Sequence, residues 1–389
     1  MYKIKTLNSI DPVWKKILSQ DEFQVASDVE DMDAIIVRSA DMHGMDTPDS
    51  LLCVGRAGAG VNNIPLDEMA QKGIVVMNTP GANANAVKEL VLAALLLSGR
   101  DIIGGIEWAR GLKGEGAGLM KVVEKGKSNF VGNEIMGKTL GVIGLGGIGG
   151  LVANSAISLG MNVLGYDPFI SVDNAWRLSR KIEHATDMAD LLSRCDYVTI
   201  HVPLMDKTRG SFNAESFAAM KDGSILLNFS RGEIVDTAAL LDALNSGKVR
   251  KYITDFPNAE IVDHKSVIPM PHLGASTPES EENCVDMISR QISTYLKTGS
   301  IRFSVNYPEC ILPPVQICRL TVLHANIPNM VGQVTGTVAA LGINISSMVN
   351  QSRGQYAYTV LDLDSRLDES QIEKLRTIEG IYRVRLIED

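Results

Sequence analysis

The chain has 389 residues, 45% of them hydrophobic and 21% charged, an ordinary globular composition that is too long for one core, so two or three domains are expected. A formal net charge of -9 excludes a phosphate-backbone binder, which needs a basic surface, so nucleic acid is not an expected partner. The five cysteines, Cys53, Cys195, Cys284, Cys310 and Cys318, are scattered without a C-x-x-C pair, which excludes a zinc cluster or a disulfide framework, and no metal is expected. They suit a reducing cytoplasm. The polar start of the chain lacks the apolar core of a signal peptide, and the longest apolar run, residues 90–97, is too short to span a bilayer. The expectation is a cytoplasmic protein with no membrane partner.

Taken in chain order, residues 34–37 and 51–54 read as buried parallel strands, and 86–97 as a buried helix rich in Ala and Leu. Residues 108–134 carry many Gly and Lys with weak periodicity and read as a loop or crossing segment. Strands at 139–143, 162–166, 197–201, 224–228 and 251–254 then alternate with helical stretches, the rhythm of a doubly wound parallel sheet. A long helix is expected over 278–296, led by Pro278 and packed back on the first domain. Pro308, Pro313 and Pro314 then suit an extended linker.

From Ile317 onward the order is strand, Pro328-led helix, strand at 343–349, turn at 352–354, strand at 356–363, helix at 369–377 and strand at 382–387, a ferredoxin-like βαββαβ unit. The expected fold class is α/β: two Rossmann-like doubly wound lobes, with a cleft between them, followed by the ferredoxin-like unit. Expected domains are a discontinuous first domain (1–95 and 276–305), a second domain (96–275), a linker (306–316) and a C-terminal domain (317–389).

Gly144-Leu145-Gly146-Gly147-Ile148-Gly149 forms a G-x-G-x-x-G turn. By itself that pattern is weak, but here it follows the strand 139–143, opens a helix and precedes a strand ending in Asp167, 18 residues after Gly149. Gly144 permits the tight turn, Gly146 and the N–H groups of Gly147 and Ile148 can approach a pyrophosphate, and Gly149 lets helix and strand pack closely. Asp167 can accept from both ribose hydroxyls and would repel a 2′-phosphate, which favours NAD over NADP. His201, ending its strand, reads as a wall of the cofactor pocket.

Three downstream blocks, Asn228-Phe229-Ser230-Arg231-Gly232-Glu233-Ile234-Val235-Asp236, Asp255-Phe256-Pro257-Asn258-Ala259-Glu260 and Pro271-His272-Leu273-Gly274-Ala275-Ser276-Thr277, resemble the D-2-hydroxyacid dehydrogenase family. The resemblance implies an NAD-dependent oxidoreductase acting on CH–OH, with Arg231 clamping the substrate carboxylate, His272 taking the hydroxyl proton and Glu260 pairing with His272. It also implies that Asp255 holds the nicotinamide carboxamide, and that Pro203, Ser230, Arg231, His272 and Gly274 contact the cofactor. Gly147 stands where many relatives carry arginine, so one cation near the pyrophosphate is missing.

Val37-Arg38-Ser39, the loop from Gly55-Arg56 through Ala57, Gly58, Ala59 and Gly60 to Asn63, and Asn78-Thr79-Pro80-Gly81-Ala82-Asn83 resemble the substrate loops of family members that oxidise a small phosphorylated 2-hydroxy acid at the first step of serine biosynthesis. That resemblance implies Arg38 and Arg56 on the substrate phosphate, with Ser39 beside them and the N–H groups of residues 57–60 on the carboxylate. His324-Ala325-Asn326-Ile327-Pro328-Asn329-Met330-Val331 and Gly342-Ile343-Asn344-Ile345 resemble an ACT domain, implying L-serine as an effector at His324, Asn326 and Asn344 and a homodimer or homotetramer. Two other readings stay open at this point. One is a reductase of the same fold for glyoxylate, hydroxypyruvate, 2-oxoglutarate or D-lactate; the other is a non-catalytic NAD-sensing regulator.

Overall fold

Three short buried runs, at 34–37, 53–56 and 75–77, and two more exposed ones build the first sheet. In the computed structural model, which describes residues 1–388, β1 (Tyr2–Leu7), β2 (Phe23–Ala26), β3 (Ala34–Val37), β4 (Cys53–Arg56) and β5 (Val75–Met77) pair in parallel in the order β2-β1-β3-β4-β5. All four residues of β3 are fully buried, as a strand covered on both faces requires. β4 begins two residues later than its sequence suggests, which makes Arg56 its last residue and sets it opposite Val37.

The second sheet comprises β6 (Thr139–Ile143), β7 (Asn162–Tyr166), β8 (Glu183–His184), β9 (Tyr197–Ile200), β10 (Ser224–Asn228), β11 (Val249–Thr254) and β12 (Val267–Pro269). They are parallel and ordered β12-β11-β10-β9-β6-β7-β8. The sequence order reverses at β6, a topological switch point of the kind that places a ligand beyond the strands' carboxyl ends.

The third sheet is antiparallel: β13 (Cys318–Ala325), β14 (Ile345–Arg353), β15 (Tyr356–Leu363) and β16 (Ile381–Glu388), ordered β14-β15-β13-β16. With the helices Met330–Ala340 and Glu369–Arg376 it completes the expected βαββαβ order. Asn329 precedes the first of these helices at φ 67°, a left-handed conformation that Asn tolerates better than most residues.

Two compact units result, Met1–Asn83 together with the chain from Pro278 onward, and Ala84–Thr277. The helix Ala84–Gly99, assigned by sequence mostly to the first domain, belongs to the second unit. Its Val87, Val91, Ala94 and Leu95 are buried with Leu140, Val142, Val152 and Ala153, so its apolar face is satisfied there. Residues 108–134, read as a loop, are instead largely helical, in Ile102–Gly111, Leu119–Gly126 and short 3-10 turns. None of those helices buries a side chain completely, and Ile103, Ile106, Leu119 and Met120 are exposed.

In the first unit the helix Pro278–Thr298 lies close against β4, because Gly55 has no side chain: a Cβ there would sit 2.4 Å from Ile288 Cγ1. The C-terminal sheet belongs to the same unit. One of its faces packs Leu320, Val322 and Leu361 against Val334, Val338 and Leu375 of its own helices, and the other sends Leu323, Tyr356, Tyr358 and Val360 into a core shared with Ile288, Ile292 and Tyr295. Residues 306–316 lack helix and strand, as a linker would, yet Asn306, Tyr307 and Cys310 are buried. Asn306 accepts from the Val76 N–H and donates to the Ile74 carbonyl, so it closes the edge of the first sheet.

Arg319 fastens this docking. Its fully buried guanidinium makes a bidentate pair with Asp362, at 2.6 and 3.1 Å, and donates to the carbonyls of Thr298 and Pro313 at 2.8 and 3.0 Å. Arg319→Ala is therefore expected to destabilise the fold by about 3 kcal/mol, near the lower end for a broken buried pair because Asp362 stays partly exposed. Denaturant unfolding monitored by circular dichroism measures this, and a loss below about 1 kcal/mol would show that the arginine does not fasten the sheet.

Candidate active site

The carboxyl ends of the second sheet line up the loops that the sequence singles out. Gly144 follows β6 with φ 87°, a conformation that costs glycine little. A Cβ at Gly144 would lie 2.6 Å from the His201 carbonyl, and one at Gly149 would lie 1.9 Å from the Gly144 carbonyl. The helix Gly147–Ser158 thus starts almost on top of the turn, which only glycine permits. Gly146, by contrast, faces open space, and no side chain caps the helix there. The first turn, at Gly147 and Ile148, leaves N–H groups that an anion can accept.

Asp167, just beyond β7, accepts from the Leu145 N–H at 2.8 Å and the Phe169 N–H at 2.9 Å. These bonds fix the carboxylate beside the glycine turn and leave each oxygen a further lone pair. His201, after the neighbouring β9, has Nε2 2.9 Å from Thr199 Oγ1, while Nδ1 is sealed from water without a partner. Burial pushes its pKa down to about 3, so the ring is neutral near pH 7. A pocket wall is consistent with that state.

Further along the same edge, Ser230 donates its N–H to Asn228 Oδ1 and its hydroxyl to the Ile200 carbonyl. Asn228 Nδ2 in turn donates to the Arg231 carbonyl at 2.8 Å, which fixes the backbone from which the guanidinium projects. Arg231 donates to the Ser230 carbonyl and lies over the Phe256 ring, 5.5 Å from its centroid. His272 rests against the same ring at 4.5 Å. Asp255 is 2% exposed; its Oδ2 accepts from the Gly274 N–H at 3.2 Å, and Oδ1 has no partner. Burial raises the Asp255 carboxyl above the usual range, against the opposing pull of His272, the Gly274 N–H and Arg231.

Arg231, Asp255, His272 and Gly274 are thus brought together. Glu260 is not joined to them. It is exposed, its N–H goes to Asn258 Oδ1, and among the described residues no hydrogen bond or ion pair links it to His272. Asn258 Oδ1 also accepts from the Ile261 N–H, which closes a local turn over residues 258–261. Pro203 lies in the loop after β9 and its carbonyl accepts from the Thr208 hydroxyl. Phe256 and Asn228 are the residues that sequence reasoning passed over. Both stand inside the quoted blocks, but their roles as ring platform and backbone brace depend on loops that meet only in the folded sheet.

In the first unit, Arg38 follows β3 and Arg56 ends β4. Arg38 Nη1 pairs with Glu281 at 2.5 Å, and the Arg38 carbonyl accepts from Arg56 Nε at 3.1 Å. The N–H groups of Ser39 and Ala40 go to Asn8 Oδ1. Ala57 and Gly58 donate their N–H groups to the Val37 carbonyl and Thr79 Oγ1, so of the expected carboxylate cradle two donors are already occupied. Ala59 and Gly60 lie further out on the loop.

In the C-terminal unit, His324 is 2% exposed, with Nδ1 2.7 Å from the Ala325 carbonyl and Nε2 2.8 Å from Thr359 Oγ1. Both ring nitrogens are engaged internally. Asn326 and Asn344 are exposed; Asn326 donates to the Gly354 carbonyl and the Asn344 carbonyl accepts from Asp364. No cluster of metal-ligating side chains occurs among the described residues, and none of their helices is long and apolar enough to cross a membrane.

Residues 105–274 match the family model for the D-isomer specific 2-hydroxyacid dehydrogenase, NAD binding domain. The D-3-phosphoglycerate dehydrogenase of Homo sapiens is 35% identical over 324 residues, covering 78% of this chain and 58% of the relative. That of Methanocaldococcus jannaschii is 34% identical over 318 residues, covering 79% and 58%. The chain thus spans somewhat over half the length of these relatives. The crystal structure of NAD+-bound 3-phosphoglycerate dehydrogenase from Entamoeba histolytica shares the fold, with a TM-score of 0.61 and 26% identity over 80% of this chain and 99% of that one.

The histidine beneath the glycine turn makes a pH signature. His201 binds its proton far less readily when folded than the ordinary value of about 6.5, so the unfolded chain takes up more protons below that value. Its contribution is complete above pH 6.5 and is lost as pH falls toward 3. His201→Gln should reduce the slope of unfolding free energy against pH by about one proton between pH 6 and 4. Denaturant melts across that range would contradict the buried neutral ring if the two slopes coincide.

Proposed function

We propose that the chain is an NAD-dependent dehydrogenase that oxidises D-3-phosphoglycerate to 3-phosphohydroxypyruvate, the first step of the phosphorylated route to serine. The observation that carries this reading is the convergence of Arg231, Asp255 and His272 around the Phe256 ring, on the same strand edge as the glycine turn. The names of the relatives point to the same reaction.

The residues present fit NAD. Gly146 faces open space above a helix start without a side-chain cap, where the pyrophosphate would accept N–H bonds from Gly147 and Ile148. Asp167 would take the ribose hydroxyls, and the unpartnered Asp255 Oδ1 would accept from the nicotinamide carboxamide. His201, Pro203, Ser230 and Gly274 would wall the pocket. Bound NAD supplies an acceptor for the hydride that leaves the substrate's carbinol carbon.

The chain's own residues would handle charge and the proton. Arg231 would hold the substrate carboxylate with its planar fork, kept in place by the ring beneath it and the Ser230 carbonyl. His272 would take the hydroxyl proton as the carbonyl forms. The buried Asp255 is close enough for its carboxyl to feel the His272 charge and would serve as the nearby acid, whereas Glu260 would need a rearranged loop to assume that part. Arg38 and Arg56 would meet the phosphate dianion. The exposed Ile103, Ile106, Leu119 and Met120 offer apolar surface for a second copy in a homo-oligomer.

The C-terminal unit is read as an ACT domain responding to L-serine. With its ring nitrogens occupied, His324 would act by holding the Ala325 carbonyl, leaving Asn326 and Asn344 to touch the effector. Serine titrated against turnover should lower the rate; an unchanged rate up to millimolar serine would leave the unit without an effector role.

The direct assay is NADH formation across a panel of 2-hydroxy acids, with D-3-phosphoglycerate expected to be the preferred substrate. His272→Ala should lower kcat by roughly a hundred- to ten-thousand-fold while NAD binding by calorimetry is retained. Preference for an unphosphorylated acid would overturn the substrate, and unimpaired turnover would overturn the base.

A further inference from the structure

Arg38 and Arg56 stand side by side at the carboxyl edge of the first sheet, where Val37 pairs with Arg56 across β3 and β4. Arg56 Nε donates to the Arg38 carbonyl, and its guanidinium lies over Gly58, where a Cβ would be 1.5 Å from Nη1. Gly58, at φ 140°, therefore both tolerates its backbone and leaves room for the cation. Arg38 already has an anion: Glu281 Oε1 is 2.5 Å from Arg38 Nη1.

Glu281 lies in the first turn of the helix Pro278–Thr298. That helix is pressed onto β4 through Ile288 and Ile292 against Gly55, so the carboxylate is delivered from a rigid element. The charges of Arg56, Arg38 and Glu281 all act on the thiol of Cys284, one turn along, which places the three groups in one patch. Both partners of the pair are more than a third exposed, at 38% and 37%, and such pairs add little to stability. The consequence of the pair is electrostatic.

We infer that Glu281 is a specificity-determining residue, an internal anion on Arg38 that a phosphomonoester dianion displaces and a single carboxylate does not. This rests on the reading of Arg38 and Arg56 as the phosphate-binding pair. A phosphate group brings about two negative charges and three acceptor oxygens, enough to engage both guanidinium groups. A monocarboxylate offers Arg38 only what Glu281 already supplies from within the chain at high effective concentration. Discrimination thus comes from a built-in competitor as well as from attraction, at the expense of weaker phosphate binding than the same site would give without Glu281 on Arg38.

The test uses the full chain with Glu281→Gln, alone and in an Arg38→Ala background. Steady-state kinetics with D-3-phosphoglycerate and calorimetric titration with inorganic phosphate supply two readouts. Removing the competing charge should lower KM roughly tenfold and tighten phosphate binding by a similar factor, with kcat within about twofold. In the Arg38→Ala background the second substitution should change neither. Weaker or unchanged phosphate binding in Glu281→Gln would overturn the inference and make Glu281 a mere support for Arg38. If the wild-type chain does not turn over D-3-phosphoglycerate but Glu281→Gln still tightens phosphate binding, the functional reading fails and the competitor stands.

Discussion

The second unit depends on one close approach, that of Gly149 to the Gly144 carbonyl. A side chain at either glycine would meet backbone atoms, at 1.9 Å in one case and 2.6 Å in the other, and backbone cannot swing aside as a flexible side chain can. The contact starts the helix Gly147–Ser158 directly over the end of β6. Its N-terminal N–H groups therefore face the edge where the sequence order of the strands reverses. Asp167 completes the arrangement by accepting the Leu145 N–H, which ties the end of β7 to the turn.

From that edge the order of the strands determines which residues can meet. β9, β10, β11 and β12 follow β6 outward, so His201, Ser230 with Arg231, Asp255 and His272 arise from consecutive loops. A neutral buried histidine lies nearest the turn, and two basic side chains share the Phe256 ring further out. Asp255, the one buried acid among the described residues, is held by the Gly274 N–H with an oxygen to spare. Hydrogen bonds from Asn228 and Ser230 stiffen the loop beneath Arg231, so the guanidinium projects from a braced backbone.

How much of this the sequence reveals depends on how local each feature is. The glycine turn and Asp167 are legible because a tight turn, a helix start and a strand end constrain each other within a few residues. Five of the seven second-sheet strands are legible as short, mainly apolar runs; β8, two exposed polar residues, and β12, three residues at the sheet edge, carry no such signal. The separation of Glu260 from His272 is not legible, since it accompanies a turn that Asn258 makes with the backbone N–H groups of Glu260 and Ile261. Arg38 and Glu281 lie on elements far apart in the chain, and nothing local marks their pairing. Residues 306–316 have the prolines of a linker, but the burial of Tyr307 and Cys310 follows from a sheet that comes later. The helices within 102–130 were hidden by glycines and by the absence of a buried face.

The claim on which the account rests is that the glycine turn with Asp167 forms a dinucleotide site that selects NAD. Calorimetric titration of the full chain with NAD and, separately, with NADP tests it most directly. The account predicts that NAD binds about tenfold or more tightly than NADP, because the Asp167 carboxylate would accept ribose hydroxyls and would repel a 2′-phosphate. Equal affinity for the two, or no binding of either, would contradict it.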